Sequence, residues 1–107
     1  MVDNTLLFEA IALNKCIRAT YNRMDVTLAP HILYTRHGEL YIDAVTVLRE
    51  GMQPREVKLG SFKLTGLKDL RLTERQFRPD SLFLPSDEKY RGVTLFAVEA
   101  GAEAAAA

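Results

Sequence analysis

The period of the hydrophobic pattern changes at residue 15, and that change limits the fold more than any other feature of the chain. Before it, apolar residues recur at helical spacing. After it they alternate with polar ones, as in half-buried strands. Ile17, Ala19 and Tyr21 share one face of the first such run, and Arg18 and Thr20 the other. Extended runs follow at residues 26–35, 39–45, 55–59 and 67–72, separated by turn candidates at residues 22–25, His37-Gly38, residues 49–54 and residues 60–66. Pro30 interrupts the second run, which predicts a sheet edge, a bulge or a bend there. About five short strands with close turns after one helix describe a mainly β domain, a small barrel or sandwich. Closure into a barrel also disposes of exposed strand edges.

The helix is predicted over residues 6–15, behind cap candidates Asp3, Asn4 and Thr5. Leu6, Ala10 and Leu13 form one side, Leu7 and Ile11 the next, and Phe8 and Ala12 another. Only Glu9, Asn14 and Lys15 interrupt this apolar surface, so more than one side needs a cover. One side suits the domain's own sheet. Residues 6–13, from Leu6 to Leu13, also offer a surface to a second copy of the chain, as a homodimer, or to a partner protein.

With 107 residues, the chain has the length of one domain with one modest core. No apolar run is long enough to span a bilayer, and the N-terminus lacks the basic-then-apolar pattern of a secretory signal. The lone Cys16 can form no internal disulfide, which fits a reducing cytoplasm. Net charge is zero, yet residues 15–78 hold twelve Lys and Arg against seven Asp and Glu, while both ends are acidic. A basic centre suits an anionic ligand such as a nucleotide or nucleic acid, and equally a solvated mixed surface. Beyond residue 78, prolines and serines mark an irregular arm (79–100) that has a possible strand at 93–98. Residues 101–107 read as a disordered, alanine-rich tail.

Signals of catalysis are few. The chain has no CxxC, HxH, HExxH, P-loop or GxSxG pattern, so neither a cofactor nor a metal is expected, and a non-enzymatic role is favoured. His31 and His37 lie six apart with no third ligand at metal spacing. His37 reads as a turn residue, whereas His31, beside Pro30, is open to a structural or a binding role. Cys16 reads as a small buried hydrophobe. The polar strand faces say more. Arg18, Arg36, Tyr41, Arg55 and Lys58 fall on neighbouring strands or their ends, with Tyr34 and His31 among them. Arginine holds phosphate through two parallel hydrogen bonds, and tyrosine stacks on a base. The same cations are equally well placed to pair with Glu39, Asp43 and Glu56.

The order of these pieces resembles the WYL domain family. Ile17-Arg18-Ala19-Thr20-Tyr21 is similar to the family's basic opening strand. Leu28-Ala29-Pro30-His31-Ile32-Leu33 resembles its Pro-centred segment, and Leu40-Tyr41-Ile42 falls at the name motif. Arg55-Glu56-Val57-Lys58-Leu59-Gly60-Ser61-Phe62 resembles the next strand and turn, with Phe77 as the late aromatic. The likeness covers residues 6–77. It implies an Sm-like, SH3-type β-barrel and a ligand-sensing role in bacterial transcription regulation, with single-stranded DNA or a similar anion as ligand. Carried over position by position, the binding residues are Arg18, His31, Tyr41, Arg55 and Lys58. Leu40 stands at the family's Trp, Gly60 and Ser61 stand at its acid and arginine, and Lys58 stands where Arg is usual.

Two expectations follow. A domain over residues 1–78, with no stretch before residue 15 long enough for a helix-turn-helix, is expected to sense a nucleotide or single-stranded nucleic acid without catalysis. The alternative is a degenerate family member that serves as a protein-interaction or dimerisation module.

Overall fold

The structure is a computed structural model that describes residues 4–98, so the expected disordered tail lies outside the described residues. Helix α1 (Asn4–Leu13) opens the chain and buries Leu7, Ala10 and Ile11. It stops at Asn14, whose φ of 55° is the left-handed stop at which glycine or asparagine is usual. The chain then runs straight into β1 (Lys15–Tyr21), where Cys16, Ile17 and Ala19 are buried and Arg18 is exposed.

Two hairpins build the centre. β1 turns through Asn22-Arg23 into β2 (Met24–Arg36), which turns through His37-Gly38 into β3 (Glu39–Arg49). All four turn residues have positive φ, the conformation that matches a two-residue turn to the strands' twist. β4 (Leu59–Lys63) pairs with β3, a 3-10 turn follows at Leu64–Gly66, and β5 (Lys68–Gln76) returns to pair with β1. β6 (Thr94–Ala97) completes an antiparallel sheet ordered β4-β3-β2-β1-β5, with β6 also on β2.

Pro30 explains how one strand serves three neighbours. β1 pairs with β2 only as far as Leu28, and β6 starts its own pairing at Ile32 on the same strand. Pro30, which has no N–H to donate, sits in the interval between them. On the other edge Pro30 faces Ala44 while Ile32 faces Asp43, so His31 is an extra residue, a bulge. The expected bulge is therefore present, but in the middle of the sheet. Placing a proline there is tolerated because its missing donor coincides with the partner exchange.

Two expectations need correction. The described sheet is open: β4 and β5 are its two ends and do not pair with each other, so it does not close into a barrel. Lys68, Asp69, Arg71, Glu74 and Arg75 line β5, and such a charged edge strand resists unwanted pairing without closure. The fourth strand is also displaced from residues 55–59 to Leu59–Lys63. Val57 stays 61% exposed, whereas Leu59, Phe62 and Leu64 pack on the core. Gly60 is no breaker here. A Cβ at Gly60 would stand 3.4 Å from the Phe62 ring, so its bare backbone lets that ring lie close.

The main core gathers Leu7 and Ile11 from α1 with Ile17, Leu28, Ile32, Leu33, Tyr34 and Ile42 from the sheet. The segment after β5 contributes to it as well, through Phe83, Tyr90 and Val98. A smaller cluster of Cys16, Ala29 and Val45, with Val47, Leu59 and Phe77 against it, forms separately.

Candidate functional site

That smaller apolar cluster floors a cleft. Ala29 and His31 of β2, with Val45, Thr46 and Val47 of β3, form its base. The loop after β3 supplies Gln53, Pro54, Glu56 and Val57, and the start of the arm supplies Phe77, Arg78 and Asp80. The cleft holds about 330 Å³ and is apolar over most of its lining. A pocket of this size, greasy with a few polar groups at its rim, suits a small planar group.

Beside it lies a second depression of about 320 Å³, lined by Arg18, Asp25, Thr27, Leu48, Gly51, Thr73 and Arg75. Thr27 of this depression and Ala29 of the first cleft are alternate residues of β2, so the two adjoin. Strand alternation supplies the cations. Leu70 and Leu72 pack on the core, which turns Arg71, Thr73 and Arg75 the other way. Arg71 lies directly across from Arg18 in the β1–β5 register.

The electrostatics separate these arginines. Arg18 grips Asp25 with three hydrogen bonds, Nε to Oδ1 at 2.9 Å and to Oδ2 at 3.2 Å, and Nη2 to Oδ2 at 2.8 Å. The bond from Arg18 holds the Asp25 carboxyl below its ordinary range, with the Arg71 charge adding to the effect. Glu50 fixes the same corner: its carboxylate accepts the Asp25 N–H at 2.8 Å, and its own N–H donates to the Asp25 carbonyl at 2.7 Å. Among the described residues no carboxylate pairs with Arg71, Arg75 or Arg78. Three free guanidinium groups therefore follow one another along β5 and into the arm.

The expected binding residues do not form one cluster. Arg18 borders the second depression, and His31 lies at the base of the first cleft, fully buried. Arg55 and Lys58 are exposed on the loop that walls this cleft, and Lys58 lies 3.9 Å from Glu56. Tyr41 is elsewhere, half-buried against Tyr34 at 6.0 Å between ring centres, with the Arg36 guanidinium over it. Cys16 is buried, and burial pushes its thiol pKa up, which makes it a poor nucleophile.

Sequence reasoning missed Arg71, Arg75 and Arg78. The signal was there in the alternation of residues 70–75, but the strand was expected to end at residue 72. It also missed the buried set around Asp43. This carboxylate is 1% exposed and accepts bonds from Tyr34 Oη at 2.6 Å, Tyr90 Oη, and Lys89 Nζ at 2.8 Å. Burial alone would raise its pKa, but these donors together with Ser61 outweigh burial and hold it below the ordinary value. Burial and the Asp43 charge push Tyr34 up to about 12 and Tyr90 up as well. Lys89 and Tyr90 belong to a 3-10 turn (Glu88–Tyr90) of the arm, so this network ties the arm to β2, β3 and β4.

Among the described residues no three His, Cys, Asp or Glu side chains are grouped to hold a metal ion, and no helix is long and apolar enough to cross a membrane. No family model, curated protein or solved structure matches the chain.

Proposed function

We propose that this chain is a non-catalytic, cytoplasmic regulatory module that binds a nucleotide or single-stranded nucleic acid on the face formed by β1, β2, β3 and β5. The carrying observation is the juxtaposition of unpaired Arg71 and Arg75 with a cleft floored by Ala29, Val45 and Phe77. Phosphate oxygens suit the guanidinium groups, and a base suits the apolar floor against Phe77. Arg18 offers less than its neighbours, since Asp25 occupies the Nε–Nη2 edge of its guanidinium. The resemblance to the WYL family supports the same kind of ligand and a link to bacterial transcription regulation. In that reading the open sheet corresponds to the family's Sm-like, SH3-type barrel, parted between β4 and β5. Arg55 and Lys58, exposed on the loop that rims the cleft, contribute long-range attraction.

The test is the affinity of a labelled oligothymidylate across a salt series. Each phosphate contact contributes a slope of about 0.7 in log affinity against log salt for single strands. Arg71→Ala with Arg75→Ala is expected to flatten the slope by about 1.4 units. An unchanged slope and affinity would show that these arginines do not touch phosphate.

A second reading rests on a different surface. Phe8 and Leu13 of α1 are 38% and 49% exposed, and Leu95 of β6 is 49% exposed. In that reading the helix packs on a second copy or a partner protein, and polyanions do not bind.

A further inference from the structure

His31 carries both ends of the arm. Its imidazole Nε2 accepts the Asp80 N–H at 2.9 Å, where the arm begins. Its backbone carbonyl accepts the Val98 N–H at 2.9 Å, where the described arm ends. The other ring nitrogen, Nδ1, lies 2.8 Å from the Ala29 carbonyl. These partners leave the ring no choice of tautomer. A carbonyl can only accept, so Nδ1 carries the proton. A backbone N–H can only donate, so Nε2 carries none. The bulge in β2 gives His31 this position, and the rings of Phe77 and Phe83 close over it at 5.0 and 5.5 Å between centres.

We propose that His31 is a proton-operated clasp: its neutral imidazole holds the arm in place, and its protonation frees Asp80 and takes apart one wall of the ligand cleft. A second proton on Nε2 would set two donors, ring N–H and Asp80 N–H, against each other inside an apolar cage. The ring can keep its bond to Ala29, but the arm must move. Phe77, Arg78 and Asp80 line the cleft, so displacing the arm changes the site directly. Burial lowers the His31 pKa, against the opposing pull of the Ala29 carbonyl and the Asp80 charge, which keeps the clasp shut at neutral pH.

The groups around the ring are few. Asp80 and Arg78 face it from the arm and Glu56 from the loop across the cleft. Cys16 of β1 lies behind Ala29 in the small cluster, and Asp43 of β3, opposite Ile32, is engaged by Tyr34, Tyr90 and Lys89. Of these, Asp80 favours a proton on His31 by its charge.

The folded pKa lies below the unfolded one, so the clasp's contribution is complete above about pH 6.5 and fades as pH falls toward the lowered value. Across that window the arm's opening constant rises up to about tenfold per pH unit. The experiment is amide hydrogen exchange of the intact chain between pH 7.5 and 5, corrected for intrinsic rates, with imidazole nitrogen shifts recorded in parallel. The expected result is a Nδ1-protonated neutral ring at pH 7.5 and, as pH falls, increased opening at Asp80, with amides of β1 and β2 unaffected. His31→Gln should remove the pH dependence and His37→Gln should keep it. Opening of the arm that is flat with pH, or that persists unchanged in His31→Gln, would overturn the clasp, as would a ring protonated at pH 7.5. The nitrogen shifts decide the matter in the unmodified chain if His31→Gln does not fold. The effect on ligand rests on the nucleotide-binding reading, and oligothymidylate affinity at the two pH values separates the two. An arm that opens without any oligothymidylate binding sinks only that reading, and binding with an arm insensitive to pH sinks only the clasp.

Discussion

Asp43 fastens the middle of the arm to the sheet through Lys89 and Tyr90. It is a buried charge with two tyrosine hydroxyls and one ammonium group aimed at it. Such an arrangement adds little over an apolar core of the same shape, but losing one member is costly, because the others stay buried without a partner. Lys89 is about half exposed and can return to water, which moderates the loss. Asp43→Ala is therefore expected to destabilise the fold by about 3 kcal/mol, read by urea unfolding. A loss within experimental error would mean that the tyrosines find other partners. Sequence gave no hint of this role. An acid in the middle of an alternating strand looks like an outward-facing residue, and by sequence Asp43 is as open to a surface ion pair as Glu39 and Glu56 are. The acid is tolerated inside because Tyr34, Tyr90 and Lys89, distant in sequence, bring their donors to it. His31 was left open between two roles for the same reason.

At the scale of elements, the hairpins were legible because their turns are local. His37-Gly38 carries the positive φ that glycine accepts freely. Asn22-Arg23 makes the same kind of turn with φ of 50° and 65°, and arginine pays for the left-handed conformation with a Cβ crowded against the carbonyl that follows. Arg23→Gly is expected to raise stability by about 1 kcal/mol by thermal or urea unfolding, with the register of β1 on β2 unchanged. Destabilisation would instead show that the arginine side chain makes contacts worth more than the strain. β4 and β5 were less legible. Val57 and Leu59 alternate just as a strand should, but the choice between residues 55–59 and Leu59–Lys63 is made by Phe62 packing over Gly60 and edge-on to Tyr21, a tertiary contact. β5 runs past residue 72 because its last residues continue to pair with β1, up to Lys15 opposite Gln76.

At the scale of the molecule, one sheet separates two environments. One side holds the core under α1 and the arm. The other offers a small apolar floor, a cleft and a row of arginines. The basic middle of the chain was visible as a charge count, but a count does not tell which cations share a face. Arg18 and Arg71 meet only because β5 returns to the edge of β1, and Tyr41 is drawn away to Tyr34 by its own strand's register. The residues carried over from the likeness, Arg18, His31, Tyr41, Arg55 and Lys58, are therefore distributed by the fold over separate places. The most direct test of the central claim is a titration of the isotope-labelled chain with a short oligothymidylate at low salt, followed by backbone amide shifts. The account predicts shifts at Arg18, Thr27, Arg71, Thr73, Arg75 and Phe77, with α1 quiet. Shifts confined to α1 and β6, or none at all, would contradict it.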